Sequence, residues 1–124
     1  MATILIVDDE AHIRLLIQQT LEELEDEGVA LETAENGEVA LQLIPEMRPA
    51  LIFLDVMMPR RNGFEVCRIV KQEWAMQNIH IVLLTAKGQE SDKLRGQEVG
   101  ANAYMTKPFD PDALLAYARQ VLQM

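Results

Sequence analysis

Along this chain, short uninterrupted apolar runs alternate with stretches whose apolar residues recur every three or four positions. Ile4-Leu5-Ile6-Val7 and Leu51-Ile52-Phe53-Leu54 contain no polar residue, and Ile79 to Leu84 contains only His80. Runs of that length, rich in β-branched side chains, predict strands buried on both faces. Val29 to Thr33 alternates like a strand behind the turn marked by Gly28, and Ala103 to Met105 predicts a short fifth strand.

Helical spacing fills the intervals. Ile13, Leu16, Ile17, Leu21 and Leu24 mark one apolar face of a first helix. Asn36-Gly37 opens a second helix that carries Ala40, Leu43 and Ile44 inward, with Pro45 and Pro49 bracketing its exit. After the turn from Met58 to Gly63, a third helix carries Val66, Ile69 and Val70. A weaker one spans about Ser91 to Glu98 and stops at Gly100. The last begins near Pro111 and carries Leu114, Leu115, Ala118, Val121 and Leu122. Five βα units follow one another with no linker, repeat or low-complexity segment. Buried strands joined by helices predict an α/β architecture: a doubly wound, five-stranded parallel sheet covered on both faces. Right-handed crossovers favour the strand order 2-1-3-4-5, a flavodoxin-like three-layer sandwich, in one domain over residues 1–124.

Composition narrows the chemistry. The chain has 124 residues, 49% of them apolar and 25% charged, as expected of a soluble globular domain. No apolar run approaches the roughly 20 residues needed to cross a bilayer, which argues against membrane insertion. The first residues lack the basic region and long apolar stretch of a secretion signal. A lone Cys67 provides neither a disulfide framework nor a metal-ligand pair. These features predict a cytoplasmic location. The net charge of −9 is concentrated in the first fifty residues, where twelve carboxylates face only Arg14 and Arg48. That sign argues against direct nucleic-acid binding. The run Glu22, Glu23, Glu25, Asp26 and Glu27 is read as a solvated helix end.

In open parallel sheets, ligands bind beyond the carboxyl ends of the central strands. The sequence places Asp8, Asp9 and Glu10 after the first strand, Asp55 after the third, Thr85 after the fourth and Thr106-Lys107-Pro108 after the fifth. The first turn has neither a Gly-x-Gly-x-x-Gly pattern nor a Walker lysine, which excludes a nucleotide cradle. Converging carboxylates repel one another and raise one another's pKa. A hard divalent cation, Mg²⁺ or Mn²⁺, relieves that conflict, because it accepts a few carboxylates together with water and a phosphoryl oxygen. One carboxylate is then free to act as a nucleophile towards phosphorus. Lys107 and Thr85 supply the positive charge and hydroxyl that the remaining phosphoryl oxygens require.

With these residues in place, the chain resembles the response-regulator receiver domains, stand-alone chemotaxis regulators among them. Asp8-Asp9, Leu54-Asp55-Val56-Met57-Met58-Pro59 with Gly63, Leu84-Thr85-Ala86 and Lys107-Pro108-Phe109 carry the resemblance, which covers essentially the whole chain. It implies that Asp55 is the phosphoacceptor, and that Asp9, Asp55 and the backbone carbonyl of Met57 bind the metal, with Asp8 acting mainly through water. It also implies that Lys107 contacts the phosphoryl group and that the bond to Pro108 is cis. Thr85 and Tyr104 are the expected switch pair, acting on a surface made of the fourth helix, fifth strand and fifth helix. The implied role is a phosphoacceptor switch of a two-component or phosphorelay system, and not an enzyme with an external substrate. Its donor is a histidine kinase or histidine phosphotransfer protein, docking near His12, Ile13 and Phe109, and its output is a downstream protein target.

Two departures refine that picture. Met57 and Lys87 occupy the positions that tune hydrolysis in the family. A bulky apolar group and a cation there predict a long-lived phosphorylated form. Leu94-Arg95-Gly96 and Thr85-Ala86-Lys87-Gly88 resemble receivers that dimerise ahead of winged-helix DNA-binding domains. Asn102, Ala103, Ala113 and Tyr117, however, interrupt the charge ladder such dimers use. A monomer and a phosphorylation-dependent dimer both stay open, as does the choice between a stand-alone regulator and part of a longer protein. A phosphatase of the haloacid-dehalogenase type is disfavoured, because Asp55-Val56-Met57 lacks the second carboxylate of Asp-x-Asp. The acidic first loop argues against a flavodoxin-like electron carrier. Trp74 and Cys67 are assigned to rim or core.

Overall fold

The computed structural model describes the backbone of residues 2–86 and 90–124 and the side chains of 2–86 and 93–124. Five parallel strands form one sheet in the order β2-β1-β3-β4-β5. They are β1 (Thr3–Val7), β2 (Ala30–Ala34), β3 (Leu51–Asp55), β4 (His80–Ala86) and β5 (Ala103–Lys107). The connecting helices are α1 (Ala11–Thr20), α2 (Glu22–Asp26), α3 (Gly37–Met47), α4 (Gly63–Arg68), α5 (Glu90–Val99) and α6 (Pro111–Leu122). Parallel order and topology agree with the reading of the sequence.

The pleat divides the core. Leu5, Val7, Ile52, Leu54, Ile81 and Leu83 point to one face, against Ala40 and Ile44 of α3 and Val66 and Cys67 of α4. Their neighbours Ile4, Ile6, Leu51, Phe53, Val82 and Leu84 point to the other, against Ile17, Leu21 and Leu24 and against Leu114 and Ala118 of α6. Burying each such side chain contributes roughly 1.5–3 kcal/mol. The three central strands are therefore sealed, while the edge strands β2 and β5 are only half-buried.

Several expectations are corrected. The first helix is two helices, broken at Leu21, whose ψ of 3° leaves the helical region. The break lets Ile17, Leu21 and Leu24 all reach the core, and α2 then restarts with Glu22, Glu23 and Glu25 in a first turn that favours negative charge. Leu16, expected on the inward face, is 41% exposed. It lies about 100° around the helix from buried Ile17. The second helix does exit between Pro45 and Pro49, as expected. It runs through exposed Pro45 to Met47 and stops at Arg48, which has φ 45°. The third helix continues beyond Arg68 as a π-helical segment, Ile69–Glu73, which the apolar spacing does not encode. Strands β4 and β5 are longer than expected. Thr85 pairs with Thr106 and Ala86 with Lys107, so both site residues belong to strands and not to the loops behind them.

Glu23 and Glu27 are not merely solvated: both pair with Arg119 of α6, at 2.6 and 2.7 Å, and tie α2 to the last helix. Cys67 is buried, and Trp74, at 37% exposure, sits at the rim. Among the described residues, no helix is long and apolar enough to cross a membrane.

Candidate functional site

Asp8 continues the line of β1 by donating its amide to the Ala34 carbonyl. Its side chain is fully buried. Oδ1 accepts the Glu10 amide at 2.9 Å, closing a tight turn that starts α1. The Asp8 backbone carbonyl accepts a hydrogen bond from Arg14 of α1, so the turn is braced from both sides. Asp9 and Glu10 are exposed, yet Asp8, Asp9 and Glu10 bring one carboxylate oxygen each within 4.8 Å of one another.

Asp55 closes β3 and is 3% exposed. Its Oδ1 accepts the Met57 amide at 3.2 Å. The following turn is drawn in tightly, with the Val56 amide on Leu84 and the Gly63 amide on the Val56 carbonyl. A Cβ at position 63 would lie 2.4 Å from the Asp55 carbonyl oxygen, so only glycine permits this return. Asn62 then caps α4 by accepting the Glu65 amide.

Lys107 reaches the same point from the far strand. Its Nζ lies 2.8 Å from Oδ2 of Asp8, 3.3 Å from Oδ1 of Asp55 and 4.0 Å from Glu10. The Lys107–Pro108 bond is cis, as expected. Thr85 is buried beside them, with its hydroxyl 3.5 Å from the Met105 carbonyl.

Electrostatics follow from this crowding. Burial, and then the negative charge of Asp8, push the Asp55 carboxyl up to about 7 against the opposing pull of Lys107 and the Met57 amide. For Lys107, burial pulls the ammonium down. The hydrogen bond to Asp8 and the charges of Asp55 and Asp8 outweigh it and hold the group above the ordinary lysine range. One fixed cation thus shares three carboxylates, leaving a negative cluster of oxygen donors suited to a hard divalent ion.

The structure brings Asp8, Asp55, Thr85 and Lys107 together from four strands, with Asp9 at the mouth. The Met57 side chain is 73% exposed over the rim. Tyr104 is half-buried on β5, its ring 5.4 Å from the Lys93 ammonium and close to Gly96 of α5. Lys87 lies outside the described residues. His12 is a surface residue, 3.5 Å from Glu10. Glu10 and Arg14 join the site although the sequence reading gave them no role. Proximity to Asp8-Asp9 was the signal for Glu10, whereas nothing in the sequence announced that Arg14 folds back one and a half turns.

Comparison with known proteins places the chain in a family. A family model described as "Response regulator receiver domain" matches residues 4–119. The phosphate regulon transcriptional regulatory protein PhoB of Pseudomonas aeruginosa is 46% identical over 121 residues, which cover 98% of this chain and 52% of that protein. The chain spans about half the length of the curated relatives it matches. Among solved structures, the Vibrio cholerae chemotaxis protein CheY4 superposes with a TM-score of 0.84 at 36% identity and covers 98% of each chain. The response regulator DrrB, a Thermotoga maritima OmpR/PhoB homologue, gives 0.85 at 33%, covering 99% of this chain and 53% of its own.

Proposed function

The chain belongs to the response-regulator receiver family, and from that premise we propose that residues 1–124 form one receiver domain that switches state when Asp55 accepts a phosphoryl group. The observation that carries this reading is the convergence of buried Asp8 and Asp55 on the ammonium of Lys107, at 2.8 and 3.3 Å.

Asp55 is the nucleophile. One carboxylate oxygen forms a bond to phosphorus as the donor's phosphorus–nitrogen bond breaks, leaving the imidazole as the departing group and an acyl phosphate on the protein. A carboxyl near pKa 7 is partly protonated at neutrality and a poor nucleophile in that form. Asp9, Asp55 and the Met57 carbonyl would hold Mg²⁺ or Mn²⁺ directly, with Asp8 acting through water, and these hard oxygen donors fit either ion. Bound there, the ion would supply positive charge against the crowded carboxylates and the incoming phosphoryl group. Lys107 neutralises one phosphoryl oxygen, and Thr85, already buried at the end of β4, offers its hydroxyl to another.

The output follows from the same contacts. Movement of Thr85 towards the phosphoryl group changes the space behind it, into which Tyr104 turns. That biases the face made of α5, β5 and α6, which are the fourth helix, fifth strand and fifth helix expected from the sequence. The donor is a phosphohistidine on a kinase or phosphotransfer protein, and the reader of the altered face is a protein and not nucleic acid. All of this chemistry is cytoplasmic.

Acetyl phosphate with Mg²⁺, followed by intact-mass detection, tests the chemistry. The expected result is a single added phosphate, absent in Asp55→Asn and absent when the metal is chelated. No labelling of the native chain, or labelling indifferent to Asp55, overturns it. Sustained release of inorganic phosphate from small phosphoesters would instead mark a phosphatase.

A further inference from the structure

The loop after Asp55 is held from outside by the start of α3. Gly37, the first residue of that helix, sits directly beneath Arg61. An added Cβ would meet the Arg61 carbonyl oxygen at 2.4 Å, the Arg61 Cβ at 2.7 Å and a methyl of Val66 at 2.9 Å. The next residue, Glu38, holds Arg60 at 3.0 Å, and Arg60 has a left-handed φ of 73°, a conformation that disfavours a branched or long side chain. Asn36 caps the helix through the Val39 amide, which fixes the height of its first turn. None of these residues touches a carboxylate of the site.

They nevertheless bear on the loop that carries Met57. The segment from Val56 to Gly63 is short and pinned at each end, by Val56 on Leu84 and by Gly63 on Val56, and the Arg61 amide bonds back to Pro59. A push at Arg61 therefore acts on a segment closed at both ends. Restoring an ordinary 3.4 Å contact above a Cβ at position 37 requires a displacement of about 1 Å, larger than the tolerance of a preorganised ligand shell. We propose that Gly37 is a positioning residue for the phosphoacceptor loop: its missing side chain, with the Glu38–Arg60 pair, places the Met57 backbone where it completes the cation site beside Asp55. This rests on the metal-dependent reading of Asp55 given above and extends it to a part of the fold outside the site.

The test compares Mg²⁺ binding by calorimetry with melting temperature and with the hydrogen-exchange rate of the Met57 amide in metal-free protein. Gly37→Ala is expected to weaken Mg²⁺ binding about tenfold or more, the range seen when support around a metal ligand is lost, and to speed Met57 exchange. Gly28→Ala serves as the comparator. Gly28 has φ 97° and no neighbour within 4 Å of an added Cβ, so the substitution strains the chain at the opposite rim without pushing anything. It is expected to lower the melting temperature and leave Mg²⁺ binding unchanged. Arg60→Gly relieves the left-handed strain and cuts the tether to Glu38, and carries the same question without endangering the fold. Its expected signature is a melting temperature no lower than that of the native chain, with Mg²⁺ affinity about threefold weaker. Native affinity in either loop variant, or equal weakening in Gly28→Ala, overturns the proposal. Failure of the unaltered chain to bind Mg²⁺ would instead remove the reading of Asp55 on which it stands.

Discussion

Lys107 and Asp8, ninety-nine residues apart in the chain, meet at 2.8 Å with the carboxylate completely buried. The ammonium is the one fixed positive charge that the described residues bring within 4 Å of both Asp8 and Asp55. It therefore stabilises the metal-free protein and competes with any added cation for the same oxygens.

Lys107→Met separates these roles. Breaking a buried pair leaves an uncompensated charge, and the loss here is expected at about 2–4 kcal/mol in metal-free protein. Mg²⁺ should then raise the melting temperature by more than it does in the native chain, because the competing charge is gone. Melting curves in chelator and in Mg²⁺ measure both effects, and equal metal-induced shifts would contradict the competition. Labelling by acetyl phosphate should slow despite the tighter metal binding.

A second prediction concerns pH. Asp55 is raised to about 7 in the folded protein, against about 4 in an unfolded chain. Below the lower value both states hold the proton, and the group contributes no difference. Between the two, the folded state holds the proton more tightly, so stability falls as pH rises, and above about 7 the loss is complete. Metal-free protein should accordingly lose on the order of 3 kcal/mol between pH 4 and pH 8 through this group. Asp55→Asn should remove that slope and be the more stable protein at pH 8. Urea unfolding in chelator across the range decides it.

His80 pulls in the opposite sense. Burial, and then the nearby charge of Lys71, lower its pKa, and its Nε2 pairs with the Tyr117 hydroxyl across β4 and α6. A depressed base holds its proton less tightly when folded, so acidification below its unfolded value of about 6.5 favours unfolding. In the Asp55→Asn background, where the first effect is absent, melting temperature should fall between pH 6.5 and pH 5. Replacement of His80 by Gln should flatten that decline.

Met57 offers a kinetic prediction. Its side chain is largely exposed at the rim of the site, and on the proposed function a bulky apolar group there would hinder water from reaching phosphorylated Asp55. Met57→Asn should shorten the life of the phosphorylated form several-fold. Loss of label from purified phosphoprotein measures it, and an unchanged rate would show that water approaches by another path.

Much of this molecule was legible because its central strands are apolar without interruption and end on carboxylates. Ile4 to Val7 and Leu51 to Leu54 announce sealed strands, and the residues that follow them are the ones the fold collects at one rim. The break at Leu21 was not legible, because Ile17, Leu21 and Leu24 keep helical spacing on both sides of it and neither glycine nor proline marks the place. The π-helical segment after Arg68 was hidden for a similar reason: Ile69 and Val70 are buried in either geometry. Contacts such as Arg14 on the Asp8 carbonyl, or Gly37 under Arg61, arise from the packing of whole elements and leave no periodicity to read.

Because Asp8, Asp55, Thr85 and Lys107 arrive from four separate strands, the constellation has no partial version. A copy of the chain in which β5 has peeled away has lost the ammonium that, among the described residues, joins Asp8 to Asp55. A half-folded copy therefore presents two buried carboxylates without the charge that holds them together.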